Sequence, residues 1–325
     1  MDAINWGIIG CGDVTEVKSG PAFNKVRNSA LVAVMRRDAA KAEDYAVRHN
    51  VPKWFDNADE LINDSSVNAI YIATPPSSHE VLTIAALKAG KPVYVEKPMS
   101  TDGSSSLRMV KTATNLGLPL VVAHYRRQQP LFKKIKSLID EKAIGDILYA
   151  RLELAKAPLT AEELNDPKIQ WRIQPGIAGG GLFNDLSPHQ LDLMYYFFGE
   201  AKLVTGFSAS QGNQYDADDI VAGQIQFQSG VMFQGIWSFN VPPGLAADYC
   251  EITGTQGRLK FSFFRDTNIY LSINGVESKL EFQPLQHVQQ PMIESVVKHF
   301  LGDGPNPCSG AEGSVIMNWI DEFTG

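Results

Sequence analysis

Five short apolar runs punctuate the first third of the chain: Ile4 to Ile9, Leu31 to Met35, Ala69 to Ala73, Pro92 to Val95 and Leu120 to Ala123. No other feature restricts the fold as severely. The runs are mostly β-branched and lack polar alternation, so each needs cover on both faces, as buried parallel strands have. Between them lie helical stretches long enough for crossovers, Ala39 to His49, His79 to Ala89 and Ser104 to Leu116; Gly90 and Gly117 fit as the residues that end the last two. This pattern predicts a doubly wound Rossmann domain over residues 1–123, with any ligand at the carboxyl ends of its strands.

After Pro130 the texture changes. A basic helical stretch, Leu131 to Glu141, leads into segments that alternate apolar and polar residues. Strands are expected at Asp146 to Leu154, Leu203 to Ser210, Ile220 to Phe227, Val231 to Asn240, Tyr249 to Gly254, Gly257 to Phe263, Asn268 to Ile273 and Ser278 to Phe282. Gln228-Ser229-Gly230 and Gly254 to Gly257 suit hairpins, so this second sheet should be large and mainly antiparallel. One long helix, Pro188 to Phe198, interrupts it; Tyr195 to Phe198 suit the core between helix and sheet. The tail from Pro291 is helical, broken by the Gly302 to Gly310 loop. The fold class expected is therefore α/β: a Rossmann domain, then an α+β domain over 124–325 for substrate binding and oligomerisation, whose last helices pack back on the first. The length, 325 residues, suits two domains of roughly 100 to 200 residues each.

Composition excludes several classes. With 44% hydrophobic and 20% charged residues, the chain is an ordinary globular one rather than a disordered chain or a disulfide scaffold. A net charge of −7 and the lack of a dense Lys/Arg cluster argue against nucleic acid as a partner. Cys11, Cys250 and Cys308 are far apart and form no C-x-x-C pair, which suits free thiols in a reducing compartment. The amino terminus has neither a basic n-region nor an apolar h-region, and no run of 18 apolar residues occurs. A cytoplasmic protein without a membrane partner is expected.

The first strand runs into Gly7-Ile8-Ile9-Gly10-Cys11-Gly12-Asp13-Val14-Thr15. Gly10 and Gly12 occupy the first two positions of a G-x-G-x-x-G phosphate turn, and Asp13 and Val14 open the helix whose amino terminus would face a pyrophosphate. Thr15 stands where the third glycine would be. About twenty residues on, Arg36 and Arg37 occupy the position where an NAD site places an acid. A guanidinium there can pair with a 2′-phosphate, which favours NADP, while nearby Asp38 keeps NAD as the alternative.

Glu96-Lys97-Pro98, directly after the Pro92 to Val95 strand, resembles the E-K-P tripeptide of the Gfo/Idh/MocA oxidoreductases, named for glucose-fructose oxidoreductase and inositol dehydrogenase. The resemblance implies that Lys97 sits beside nicotinamide and the substrate carbinol. A desolvated ammonium there would stabilise charge on the carbinol oxygen. A second stretch, Gly179 to Asp192, resembles the family's glycine run followed by D-x-x-x-H-x-x-D, with Asp185, His189 and Asp192 in the defining places. If the helix is continuous these three share one face; if Ser187 caps it and Pro188 begins it, Asp185 lies just before that face and the helix dipole favours a neutral His189. By resemblance His189 is the acid/base residue, and Asp185 binds substrate hydroxyls or orients the histidine.

Further positions follow the same resemblance. Thr74, Pro75 and His79 match a T-P-x-x-x-H loop around the nicotinamide half of the cofactor, with Glu96 beside it. Tyr125, Arg126, Trp171 and Arg172 match substrate-pocket stretches, where an aromatic face and a guanidinium suit a polyhydroxylated ring. No metal is expected, because the family needs none and no second histidine lies near His189. The resemblance implies hydride transfer between NAD(P) and a carbinol or carbonyl of a sugar, sugar derivative or cyclitol, with Lys97 and His189 converging on one alcohol carbon. It also implies a homodimer or homotetramer built on the second sheet. Two other functions from related proteins are a glycoside hydrolase that uses transient oxidation by NAD and a non-catalytic cofactor or sugar sensor.

Overall fold

The structure, a computed structural model, describes residues 2–325. Residues up to Gln129 together with Leu285–Met317 form one compact unit; Pro130–Pro284 with Asn318–Gly325 form the other. In the first unit, β1 (Ile4–Ile9), β2 (Ser29–Met35), β3 (Lys53–Phe55), β4 (Ala69–Ile72), β5 (Val93–Val95) and β6 (Leu120–Val122) make a six-stranded sheet in the order β3-β2-β1-β4-β5-β6. Every pairing is parallel. The order reverses between β1 and β4, and a doubly wound sheet opens its ligand crevice at the carboxyl ends of its strands at such a point.

The five expected strands are all present, and the four residues of β4 are all buried. β3 and the helix after it, Ala58–Asn63, escaped the sequence pattern. β3 is a three-residue edge strand whose Lys53 and Trp54 are exposed, so no apolar run marks it. The core beneath β1, β4 and β5 is aromatic. Phe23 lies 4.9 Å from Trp6 and 5.2 Å from Tyr71, and Tyr71 stacks on Tyr94 at 5.1 Å.

The second unit carries β7 (Ile147–Ala155), β8 (Ala201–Ala209), β9 (Ile220–Phe227), β10 (Met232–Ser238), β11 (Ala247–Gly254), β12 (Gly257–Phe261), β13 (Asn268–Ile273) and β14 (Val276–Glu281). Their order is β14-β13-β12-β11-β7-β10-β9-β8, antiparallel except where β10 lies beside β7. The period-two burial of β9, with Val221, Ile225 and Phe227 inward, separates a core face from an outer face. Against the inner face packs the helix Gly181–Phe198, whose Phe183 meets Trp237 at 5.2 Å and whose Phe198 meets Phe227 at 5.2 Å. Phe197 is buried with Phe198 as the sequence pattern predicts, whereas Tyr195 stays partly exposed and donates to Glu200 at 2.6 Å.

That helix is longer than the sequence indicated. It begins at Gly181, and Pro188 lies inside it rather than at its start. Pro188 has no N–H to offer the Asn184 carbonyl, so one rung of the ladder is missing, yet the buried residues on both sides hold the helix together. The last helix, Gly310–Thr324, brings Phe323 onto the inner face where Gly206, Gly223 and Gly235 align across β8, β9 and β10. A Cβ on Gly223 would lie 2.3 Å from Phe323 Cε2, so only hydrogen leaves room for the ring there.

Candidate active site

Four loops leave the carboxyl ends of β1, β2, β4 and β5 in the first unit. In the first, Gly10 has φ +93°, and a Cβ there would meet Thr74 N at 2.8 Å; the residue must be glycine both for its backbone and for the close approach of the β4 loop. Gly12 is the N-cap of the helix Asp13–Val17 and supplies no capping side chain; a Cβ on it would find no other protein atom nearer than Gly10 O at 4.0 Å. Open space in front of an uncapped helix start fits a pyrophosphate, with Asp13 exposed and Val14 half-buried behind it. Thr15 does not open the turn further: it is buried, donates to Gly12 O at 2.8 Å and offers its own carbonyl to Tyr45 OH at 2.8 Å.

Arg36, half-buried at the end of β2, donates through Nη1 to Cys11 O at 3.3 Å, so its guanidinium lies against the glycine loop. Arg37 is exposed. Asp38 turns away to cap the helix Ala39–His49, accepting from Lys41 N at 3.2 Å and pairing with Lys41 Nζ at 3.0 Å. These Lys41 contacts also hold its carboxyl below the usual range. The same helix carries Arg48 and His49, both 2.8 Å from Glu16 of the first-loop helix; Arg48 above all draws the Glu16 carboxyl down to about 2. Glu16 gave no signal in sequence, where it looks like any exposed acid.

The β4 loop holds Thr74, Pro75 and His79. His79 starts a helix, as its position in sequence also allowed, but it is fully buried. Its Nδ1 lies 3.0 Å from Pro98 O and its Nε2 2.7 Å from Thr74 O, so the ring joins the β4 loop to the Lys97-Pro98 loop through two carbonyls. Burial pulls its pKa down to about 4, which keeps the ring neutral and able to donate to one carbonyl at a time. Lys97, half-buried, precedes a cis peptide bond to Pro98. Its backbone N–H donates to Glu96 Oε2 at 3.1 Å, while Glu96 Oε1 receives Tyr71 OH at 2.5 Å and Gln289 Nε2 at 2.6 Å. After β6, Tyr125 is buried and the Arg126 guanidinium lies 5.6 Å from its ring centroid.

In the second unit the continuous helix sets Asp185, His189 and Asp192 on one face. His189 and Asp192 are buried, and Asp185 is half-buried. The version with Ser187 as cap is excluded: Ser187 lies in the helix interior, and the helix starts two turns before His189, beyond the reach of its terminal dipole. Trp171 and Arg172 form a short 3-10 turn, with the guanidinium 4.4 Å above the indole and Nε 3.2 Å from Asp185 Oδ2. Arg172 also donates to the Lys168 carbonyl. The His189 and Phe264 rings meet in a T-shaped arrangement, 5.9 Å between centroids.

A nucleotide-binding sheet with an uncapped glycine turn, and a separate sheet unit with a carboxylate, imidazole and guanidinium, is the equipment of a nucleotide-dependent oxidoreductase. Comparison with known proteins agrees. Residues 4–124 match the oxidoreductase family with a NAD-binding Rossmann fold, and residues 132–260 match the GFO/IDH/MocA C-terminal domain. The chain belongs to the GFO/IDH/MocA oxidoreductase family. It is 44% identical to oxidoreductase P35 of Formosa agariphila over 99% of this chain and 98% of that protein. It is 28% identical to the 1,5-anhydro-D-fructose reductase of Ensifer adhaerens over 78% of this chain and 74% of that one. Its fold matches levoglucosan dehydrogenase in complex with NADH and levoglucosan with a TM-score of 0.86 at 22% identity, covering 99% and 96% of the two chains. Among the described residues, no helix is long and apolar enough to cross a membrane.

Proposed function

We propose that this enzyme transfers hydride between NADP and a carbinol or carbonyl of a sugar, sugar derivative or cyclitol. The observation that carries the reading is the Glu96-Lys97 segment, held from behind by Tyr71 and Gln289 at the end of β5 in the crevice-forming half of a doubly wound sheet. The relatives named above, an anhydrofructose reductase and a levoglucosan dehydrogenase, support sugar chemistry.

When bound, the nicotinamide supplies the two-electron acceptor or donor that no side chain provides. Lys97 donates a hydrogen bond to the carbinol oxygen and stabilises its charge as the C–H bond breaks. His189 takes the hydroxyl proton. Asp185, with Arg172 paired to it and Trp171 beneath, binds the remaining hydroxyls, and Tyr125 and Arg126 complete the substrate contacts. Gly10, Gly12, Asp13 and Val14 would hold the pyrophosphate, Thr74, Pro75 and Glu96 would hold the nicotinamide half, and His79 braces the Thr74 loop through the Thr74 and Pro98 carbonyls. Arg36, already turned to the glycine loop, and the exposed Arg37 favour the 2′-phosphate of NADP over NAD, a preference that Asp38, committed to Lys41, does not oppose.

The outer face of the second sheet carries exposed Leu203, Phe207, Met232 and Ile236, which supports pairing of subunits through it. Among the described residues the three cysteines are buried and form no disulfide, as suits a reducing compartment such as the cytoplasm. Net reduction of NADP, measured against NAD with myo-inositol, D-glucose and levoglucosan, tests the proposal. Turnover with one of them, faster with NADP, is expected. A cofactor that keeps its redox state while a glycoside is cleaved would contradict it.

A further inference from the structure

We infer that Gln289 is a positioning residue that acts through Glu96 to fix the Lys97 peptide for reaction; the inference rests on the role proposed above for Lys97.

Gln289 is separated from Glu96 by 193 residues and is fully buried. Each of its polar groups is engaged. Nε2 donates to Glu96 Oε1 at 2.6 Å, Oε1 accepts from Tyr94 OH at 3.1 Å, and the backbone N–H donates to Lys18 O at 3.2 Å, just past the phosphate-turn helix. Its carbonyl accepts from Ile293 N at 2.9 Å and so starts the helix Gln290–Leu301. One residue, by its backbone N–H at Lys18 and by its side chain at Tyr94 and Glu96, thus ties together the segments after β1 and β5 on which the proposed chemistry depends.

Glu96 is the element that transmits the constraint. It is 5% exposed, and three donors converge on it: Tyr71 OH and Gln289 Nε2 at one oxygen, the Lys97 N–H at the other. Tyr71 is itself fixed, with Ser19 Oγ 3.2 Å from its hydroxyl. Burial, reinforced by the nearby Glu96 charge, keeps the Tyr71 phenol protonated and able to donate. Without Gln289 Nε2, Oε1 keeps Tyr71 OH as its remaining donor of the two, and the carboxylate is free to turn away from the Lys97 N–H. A general structural role would affect the whole unit. Loss of the amide alone leaves the backbone bonds to Lys18 and Ile293 in place and removes only the side-chain bonds to Glu96 and Tyr94.

The test is the variant Gln289→Met, which keeps the volume and removes the amide, studied as the full chain with NADP. Amide exchange at Lys97, read by mass spectrometry, should rise about tenfold or more while β2 exchanges as before. With whichever of myo-inositol, D-glucose or levoglucosan turns over, kcat should fall about ten- to hundredfold while KM for NADP stays within about threefold. The exchange Glu96→Gln with Gln289→Glu restores an amide-to-carboxylate bond between the two positions and should recover part of both. Wild-type exchange at Lys97, or wild-type kcat, in a folded Gln289→Met protein would overturn the inference. If that variant does not fold, Tyr71→Phe removes the other donor to the same oxygen and decides between the same two results. Lys97→Met separates the two levels: wild-type turnover in it would refute the role given to Lys97, while the exchange measurement would still report whether Gln289 positions the segment.

Discussion

Arg172 Nε lies 3.2 Å from Asp185 Oδ2, with the guanidinium stacked on Trp171. The two side chains are 28% and 19% exposed, so the pair adds no more than about 1 kcal/mol to stability. In the role proposed above, the pair offers a fixed donor and a fixed acceptor to substrate hydroxyl groups. Asp185→Asn should leave the unfolding temperature within about 3 °C of wild type while raising KM for the sugar about tenfold or more, since a hydrogen bond to a charged group is worth ~1.5–3 kcal/mol. Steady-state kinetics beside a thermal melt check this; an unchanged KM would remove Asp185 from the substrate site.

Cofactor preference should reside in Arg36, whose Nη1 contact with Cys11 O holds it at the glycine loop. Arg36→Ala is expected to weaken NADP binding by about ten- to hundredfold, the equivalent of ~1.5–3 kcal/mol for charge-assisted hydrogen bonds, and to change NAD binding by less than about threefold. Fluorescence titration with both dinucleotides measures the ratio. An equal loss for both would locate the arginine away from the 2′-phosphate.

His79 makes stability depend on pH. The unfolded chain binds a proton at this residue near its ordinary value of 6.5, whereas burial delays protonation in the folded chain to about 4. The unfolded state therefore holds more protons between these values, and stability falls as pH drops from 6.5 to 4, by about 3 kcal/mol in total from this group. Above 6.5 the contribution is fully present. Denaturant titrations of wild type and His79→Gln across that range should show the variant lacking this part of the decline; parallel curves would contradict the buried neutral ring.

The aligned glycines under Phe323 predict a steric coupling. Gly223→Ala should cost ~1–3 kcal/mol through overpacking against the ring, and Phe323→Ala about 3–5 kcal/mol through the cavity it leaves. The double variant should cost less than the sum of the two, because the added methyl then enters vacated space. Strict additivity in chemical unfolding would show that the close approach carries no energy.

Much of this was legible in the chain, for identifiable reasons. Strands such as Ala69–Ile72 are buried on both faces and therefore read as unbroken apolar runs, and Gly10 announces the turn that only it permits. β3 was not legible, because two of its three residues face solvent. Pro188 gave the wrong helix start: proline favours a first turn, but here tertiary burial along Gly181–Phe198 overrides the missing hydrogen bond. Contacts across long separations left no local trace. Gln289 beneath Glu96 and Phe323 over Gly223 are ordinary residues until the fold brings them together.

Isotope transfer reads out the joint role proposed for Lys97 and His189, which is to manage one hydroxyl while hydride leaves its carbon. Sugar or cyclitol deuterated at the carbinol carbon is incubated with enzyme and NADP, and the nicotinamide is examined by mass spectrometry. Deuterium is expected on the reduced nicotinamide with wild type, and transfer should fall by about a hundredfold or more in both Lys97→Met and His189→Asn. Transfer at the wild-type rate in either variant, or no deuterium on the nicotinamide while substrate is consumed, would contradict it.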